Sequence, residues 1–171
     1  MNADFHNKIK FIQRELPKIF RRIPGVAKVE GLNFIHDNFD KQGFEDKPGS
    51  VKKWQKRKPP KVWRSGTTGK KSSKLKATKA GAKYLKDNKS RSLLIDKGKL
   101  RRSWDSDTRT TDTATEFTSS MPYAEAHNEG LQAGKPPGFR MPERKMIGDS
   151  DALSGRIEAK LDRMMTQAIY S

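Results

Sequence analysis

The residues with the widest chemical range in this chain are its three histidines, at positions 6, 36 and 127. They occupy separate contexts, without the paired spacing of a metal-binding helix or a zinc loop, and there is no cysteine to complete a ligand set. The lack of cysteine also excludes disulfides, thiol nucleophiles and thiolate sites. His127 reads as a structural hydrogen-bonding group at the end of a short helical turn. Asp37 with Asp40, and Glu45 with Asp46, are close enough in sequence for paired-carboxylate acid–base work. Acids near a helix end are usually solvated charge, however, and no nucleophile or base can be placed beside them.

Gly66-Thr67-Thr68-Gly69-Lys70-Lys71 invites comparison with a phosphate-binding loop. Such a loop needs a longer glycine-bounded cradle after a buried strand and a hydroxyl residue directly after its lysine. Here Arg64 stands where the first glycine would fall, Lys71 replaces the hydroxyl, and no apolar strand precedes. The sequence therefore offers no catalytic, cofactor-binding or metal-binding residues, and an enzyme is not expected.

The stronger signal is charge. Twenty of the 37 Lys and Arg residues lie in 51–102, with only Asp87 and Asp96 against them, so this stretch carries 20 − 2 = +18 of a total of +17. Lysines outnumber arginines there, which favours diffuse positive potential over bidentate base reading. The block addresses either nucleic-acid phosphates or an acidic protein surface, with Lys52, Lys53, Lys56, Arg57, Lys58, Lys61, Arg64, Lys70, Lys71, Lys74 and Lys76 as its contacts. Trp54 and Trp63 are its large apolar groups, suited to stacking on bases but better suited to anchoring the loop to the body.

The elements that must position these groups follow from periodicity. Phe5, Ile9, Ile12, Leu16 and Ile19 share a helix face, with Asn2 or Asp4 as cap, Pro17 as kink or restart and Pro24-Gly25 as the end. Val26, Val29, Leu32, Ile35 and Phe39 predict a second helix to about Gly43. From Lys47 to about Ser73 the composition is that of an extended loop, followed by a short lysine-rich helix over 74–86, weakened by Gly81. Strands are expected over 100–107 and 111–119, the latter from the alternation of Thr111, Thr113, Thr115 and Phe117. One helical turn over 123–130 closes at Gly130, a Gly/Pro-rich loop covers 134–142, and Asp149 or Ser150 caps a last helix whose face carries Leu153, Ile157, Leu161, Met164 and Ala168.

The expected fold is α+β: an N-terminal helical arm over 1–46, a basic extension over 47–89, and a body over 90–171 with a small antiparallel sheet and a C-terminal helix packed on it. With 32% hydrophobic and 33% charged residues the core should be lean, so neighbours that bury remaining apolar faces would help sustain it. No signal peptide precedes the first helix and no apolar run approaches the roughly 18 residues of a membrane span, so a soluble protein without membrane contact is expected.

Four segments, in order, resemble the phage virion morphogenesis family, the tail completion proteins of Mu-like contractile-tailed phages. Asn38-Phe39-Asp40-Lys41-Gln42-Gly43 followed by Trp54 is similar to its helix end and tryptophan. Leu93-Leu94 with Gly98, Leu100 and Ser103 resembles its leucine pair and Gly-x-Leu-x-x-Ser element. Pro122-Tyr123-Ala124 with His127 and Gly130 resembles its Pro-Tyr-Ala turn, and Pro142 with Arg144, Met146 and Gly148 its ending before the last helix. Met146 stands where that pattern has an aromatic, and the basic insert over 47–89 is longer than the pattern requires. The resemblance implies a virion structural protein of the phage neck or tail end, made in the host cytoplasm. It would assemble as a homo-oligomeric ring around the DNA channel, with other neck, portal or tail proteins and packaged DNA as partners. The rival reading is a free nucleic-acid-binding protein that uses 51–102 as its footprint.

Overall fold

The computed structural model describes residues 3–56 and 92–170. Its first element, α1 (Ala3–Lys41), is one helix rather than two. Pro17 and Pro24 lie inside it, each removing a backbone donor at a cost of about 3 kcal/mol in a helix interior. They are spaced by two turns, so both losses fall on one side, while Ile12, Leu16 and Ile19 on another face line a seam with Met165, Ala168 and Ile169. That packing, together with a 2.6 Å hydrogen bond from Thr115 Oγ1 to the Pro24 carbonyl, carries the helix through the Pro24-Gly25 step at which the sequence predicts its end.

The chain then makes a hairpin, β1 (Gly43–Lys47) and β2 (Ser50–Lys53), where an extended loop is expected from Lys47 onward. Pro48-Gly49 is its turn: proline presets φ and Gly49 takes φ 77°, the order of a type II turn. The hairpin straddles the expected boundary between arm and basic extension. The helix expected over 74–86 lies outside the described residues.

Residues 100–107 are not a strand. They belong to α2 (Lys99–Asp107), because Leu100, Ser103 and Trp104, at i, i+3 and i+4, bury a single helical face. Gly98 precedes this helix in the left-handed region. The threonine-rich segment shrinks to a two-residue ribbon, β3 (Arg109–Thr110) with β4 (Thr115–Glu116). α3 (Ala124–Glu129) ends at Gly130 as predicted, and β5 (Gln132–Ala133) pairs with β6 (Phe139–Arg140). The final helix, α4 (Asp151–Tyr170), is capped by Ser150, whose Oγ accepts from Leu153 N at 3.2 Å.

The fold is thus α+β, with three separate antiparallel ribbons among the described residues in place of one small sheet. α4 touches β1 and runs antiparallel along α1, with Ala152 near Phe34 and Ala168 near Ile12. One core gathers Ile35, Phe39, Trp54, Leu100, Trp104, Ala124 and Met146, and a smaller one holds Phe34, Phe44 and Ala152, with Ile147 packed against both. Among the described residues no helix is long and apolar enough to cross a membrane.

Candidate functional site

The four segments singled out in the sequence meet in the larger core. Phe39 and Trp54 pack edge to face, ring centres 5.6 Å apart, and Leu100, Ala124 and Met146 close around them. Two asparagines supply the polar joints. Asn38, fully buried, donates to the Met146 carbonyl at 3.0 Å and accepts from Glu45 N at 3.1 Å. Asn128 Oδ1 accepts from Met146 N at 2.8 Å and Ile147 N at 3.2 Å, and its amide donates to the Ile147 carbonyl at 3.1 Å. The irregular segment around Met146 has no helix or strand partner of its own, so these two side chains take over the task of satisfying its backbone.

Both ends of the segment joining 56 to 92 are fastened at Gln42. Its carbonyl accepts from Trp54 N at 2.9 Å. Its side-chain amide donates to the Leu93 carbonyl at 3.3 Å, and its Oε1 accepts from Leu93 N. Gln42 itself stands at φ 51° directly after α1, a conformation that costs a non-glycine residue about 1–2 kcal/mol and is held here by these bonds. The outgoing end is gripped again by Arg144, 6% exposed, which donates to the Gln55 carbonyl at 3.1 and 3.3 Å, and by Trp54 Nε1, which donates to the Lys145 carbonyl at 2.9 Å. Trp54 is therefore an anchor, not a stacking platform.

Arg144 also joins the α3 corner: its backbone N donates to the His127 carbonyl at 2.7 Å, and Nη1 lies 3.3 Å from His127 Nδ1. Tyr123, 41% exposed, packs edge-on to the His127 ring, and Pro122 beside it is exposed. Gly130 has φ 66° and Glu143 so close that a Cβ would stand 3.1 Å from its Cβ and 3.2–3.3 Å from its backbone. Ser103 Oγ donates to the Leu100 carbonyl at 2.8 Å and meets Ser119 Oγ at 2.6 Å. Gly98 and Gly148 are half-buried. Of the motif residues, Trp54, Leu100, Ser103, Gly130 and Arg144 hold the interior together, while Pro122 and Tyr123 are available to a neighbour.

No family model matches the chain, and no curated protein or solved structure does either. What the site does must be read from its own chemistry.

Of the cationic contacts predicted from sequence, Lys52, Lys53 and Lys56 are described and exposed. Lys53 is not free for a ligand: its ammonium donates at 2.7 Å to the Lys41 carbonyl at the end of α1, a favourable place for a cation. Lys52 lines an open trough of about 420 Å³ with Phe44, Gln55 and Lys145, but Asp46 and Glu143 line it too, so it is not a dedicated anion site. Arg57, Lys58, Lys61, Arg64, Lys70, Lys71, Lys74 and Lys76 lie outside the described residues.

Of the acids weighed for catalysis, Asp37, Asp40 and Glu45 are paired, while Asp46 is exposed. Asp40 receives a two-pronged bond from Arg101 at 2.8 and 3.0 Å. Arg101 Nε also donates to His36 Nδ1 at 2.7 Å, which leaves the His36 proton on Nε2, 2.7 Å from Asp105. Arg156 holds Asp37 at 2.7 Å and Glu45 at 3.1 Å. Lys41 Nζ reaches Glu45 at 2.6 Å and Gly49 N donates to it at 2.9 Å; these bonds, Lys41 foremost, hold its carboxyl below the ordinary glutamate value of 4.5 against the effect of burial. Among the described residues no group of three His, Asp or Glu side chains converges on a point fit for a metal ion. The sequence reading missed Asn38, Asn128, Arg101 and Arg156 as joints. Asn128 lies within a motif that was quoted for its neighbours, but a partner eighteen residues away leaves no local trace.

Proposed function

We propose that this chain is a structural subunit of a phage neck or tail end, a tail completion or head–tail joining protein that assembles as a ring around the DNA channel, and that it is not an enzyme. One observation carries the reading. Four family-like segments, spread from Asn38 to Gly148, collapse onto a single centre in which Asn38, Asn128, Arg144 and the Trp54 indole are spent on holding backbone. A lean chain with Phe20, Val29 and Phe139 each more than half exposed is also suited to neighbours that bury those faces.

The +18 stretch favours a second reading, a nucleic-acid-binding protein with no place in a particle. Electron microscopy of particles made with a tagged chain separates the two. Density in a ring at the head–tail junction or tail end is expected. A chain absent from particles and recovered with cellular nucleic acid would overturn the first reading.

A further inference from the structure

Outside 51–102 the charge nearly cancels, 17 basic against 18 acidic residues, but it is not evenly spread. Residues 5–29 hold seven Lys and Arg against one acid, Glu15, a local 7 − 1 = +6. All of it sits on α1. Lys10, Arg14, Lys18 and Arg21 follow at steps of four, four and three, which is three helical turns, so they form one stripe; Arg22 flanks it, and all five are exposed.

We propose that this outer face of α1 binds the phosphate backbone of duplex DNA without sequence preference. From Lys10 to Arg22 the helix rises about 18 Å and carries five cations, about 4.5 Å apart on average, the same order as the roughly 3.4 Å rise per phosphate along one strand. The stripe leads into an open groove of about 590 Å³ where Arg21 and Arg22 are joined by Lys160 of α4 and Thr111, with Glu30 and Asp112 also on its walls. Charge alone would suit an anionic membrane as well. A helix that lies in a membrane needs its apolar face free, and the apolar face of α1 is seated on Met165 and Ala168 of α4. Cations repeated along one helix face fit a strand that carries a charge at every nucleotide better than the irregular carboxylates of a folded acidic protein. Glu15, which receives Arg14 and Lys18 at 2.9 Å each, steadies both cations and competes with phosphate for them.

The inference is independent of the ring reading, since a free chain in solution suffices to test it. The full chain is titrated onto a fluorescent duplex, by anisotropy, between about 50 and 200 mM salt. Arg14→Gln, Lys18→Gln and Arg21→Gln should each lower the log–log salt slope by about 0.9, and a fourfold variant that adds Lys10→Gln by about 3–4. Glutamine is nearly as good a helix former as Lys or Arg, so helicity should persist by circular dichroism; if the fourfold variant loses it, the single changes carry the test. Glu15→Gln should tighten binding and steepen the slope. Unchanged slopes in all three single variants would overturn the proposal, as would a preference for phosphatidylserine vesicles or polyglutamate over duplex at equal salt. The same holds if slope is lost only when Lys70, Lys71, Lys74 and Lys76 are neutralised.

Discussion

Asn38→Ala probes the joint on which the core depends. The side chain is fully buried, and its removal leaves two buried backbone groups without partners: the Glu45 N–H, now bonded at 3.1 Å, and the Met146 carbonyl, now bonded at 3.0 Å. Each orphaned group costs about 1–3 kcal/mol. With the small void adding to this, the loss should be at least about 2–6 kcal/mol, a large part of the stability of a domain this size. In urea unfolding this appears as a lower midpoint at unchanged m; with m of about 1–3 kcal/mol per molar, 3 kcal/mol is a shift of about 1–3 M. Asn38→Leu should cost nearly as much despite filling the space, because it leaves both groups unpaired. The effect should also be non-additive with Asn128→Ala, since Asn38 holds Met146 by its carbonyl and Asn128 by its N–H. A loss below about 0.5 kcal/mol, the scale of an ordinary surface change, would refute the argument.

Glu45 contributes stability that is lost in acid. Its folded value lies below 4.5, so its contribution is complete above the unfolded value and disappears as pH falls through the lower folded one. Glu45→Gln should be less stable at neutral pH and flatter across that acid window in Tm against pH; parallel profiles would contradict this. Gly130→Ala should cost about 1–3 kcal/mol in thermal unfolding, from its left-handed backbone and the Glu143 backbone that its Cβ would meet. At Gly31 a Cβ would stand 2.1 Å from the Phe117 ring, so Gly31→Ala should cost about 1–3 kcal/mol, and Phe117→Leu in the same chain should recover part of it. Gln replacements at Lys52 and Lys56, both exposed, should leave Tm within about 1 °C while lowering any affinity for DNA, whereas Lys53→Gln should also lose about 0.3–1 kcal/mol with its helix-end bond.

Legibility divided along the range of the interactions. The last helix, a cap at Asp149 or Ser150 and the half-buried face of Leu153, Ile157, Leu161, Met164 and Ala168 were readable, because capping and period are local properties of ten or twenty residues. So was the closure of α3 at Gly130, where only one residue type is comfortable. The hairpin around Pro48-Gly49 read as extended loop, because its strands are too short and too charged to alternate visibly. Residues 100–107 misled because Leu100, Ser103 and Trp104 mark a helical face only once Ser103 is known to be buried; its hydroxyl is satisfied within the helix and by Ser119. Pro17 and Pro24 read as breaks because propensity sees the lost donors and not the α4 seam that offsets them.

The sequence by itself determined the composition of the parts: apolar-faced helical segments towards both ends, turn residues at fixed places, and charge massed in 51–102. Tertiary structure decided what those parts do. It turned Asn38, Asn128 and Arg144 from polar residues into the joints of the core, Lys53 from a ligand contact into a helix-end partner, and Gln42 into the point at which the two ends of the basic insert are fastened. The reason is physical: periodicity and turn chemistry act over a few residues, whereas a buried polar group has its partner wherever the fold brings an unsatisfied backbone, which here is as far as 108 residues away.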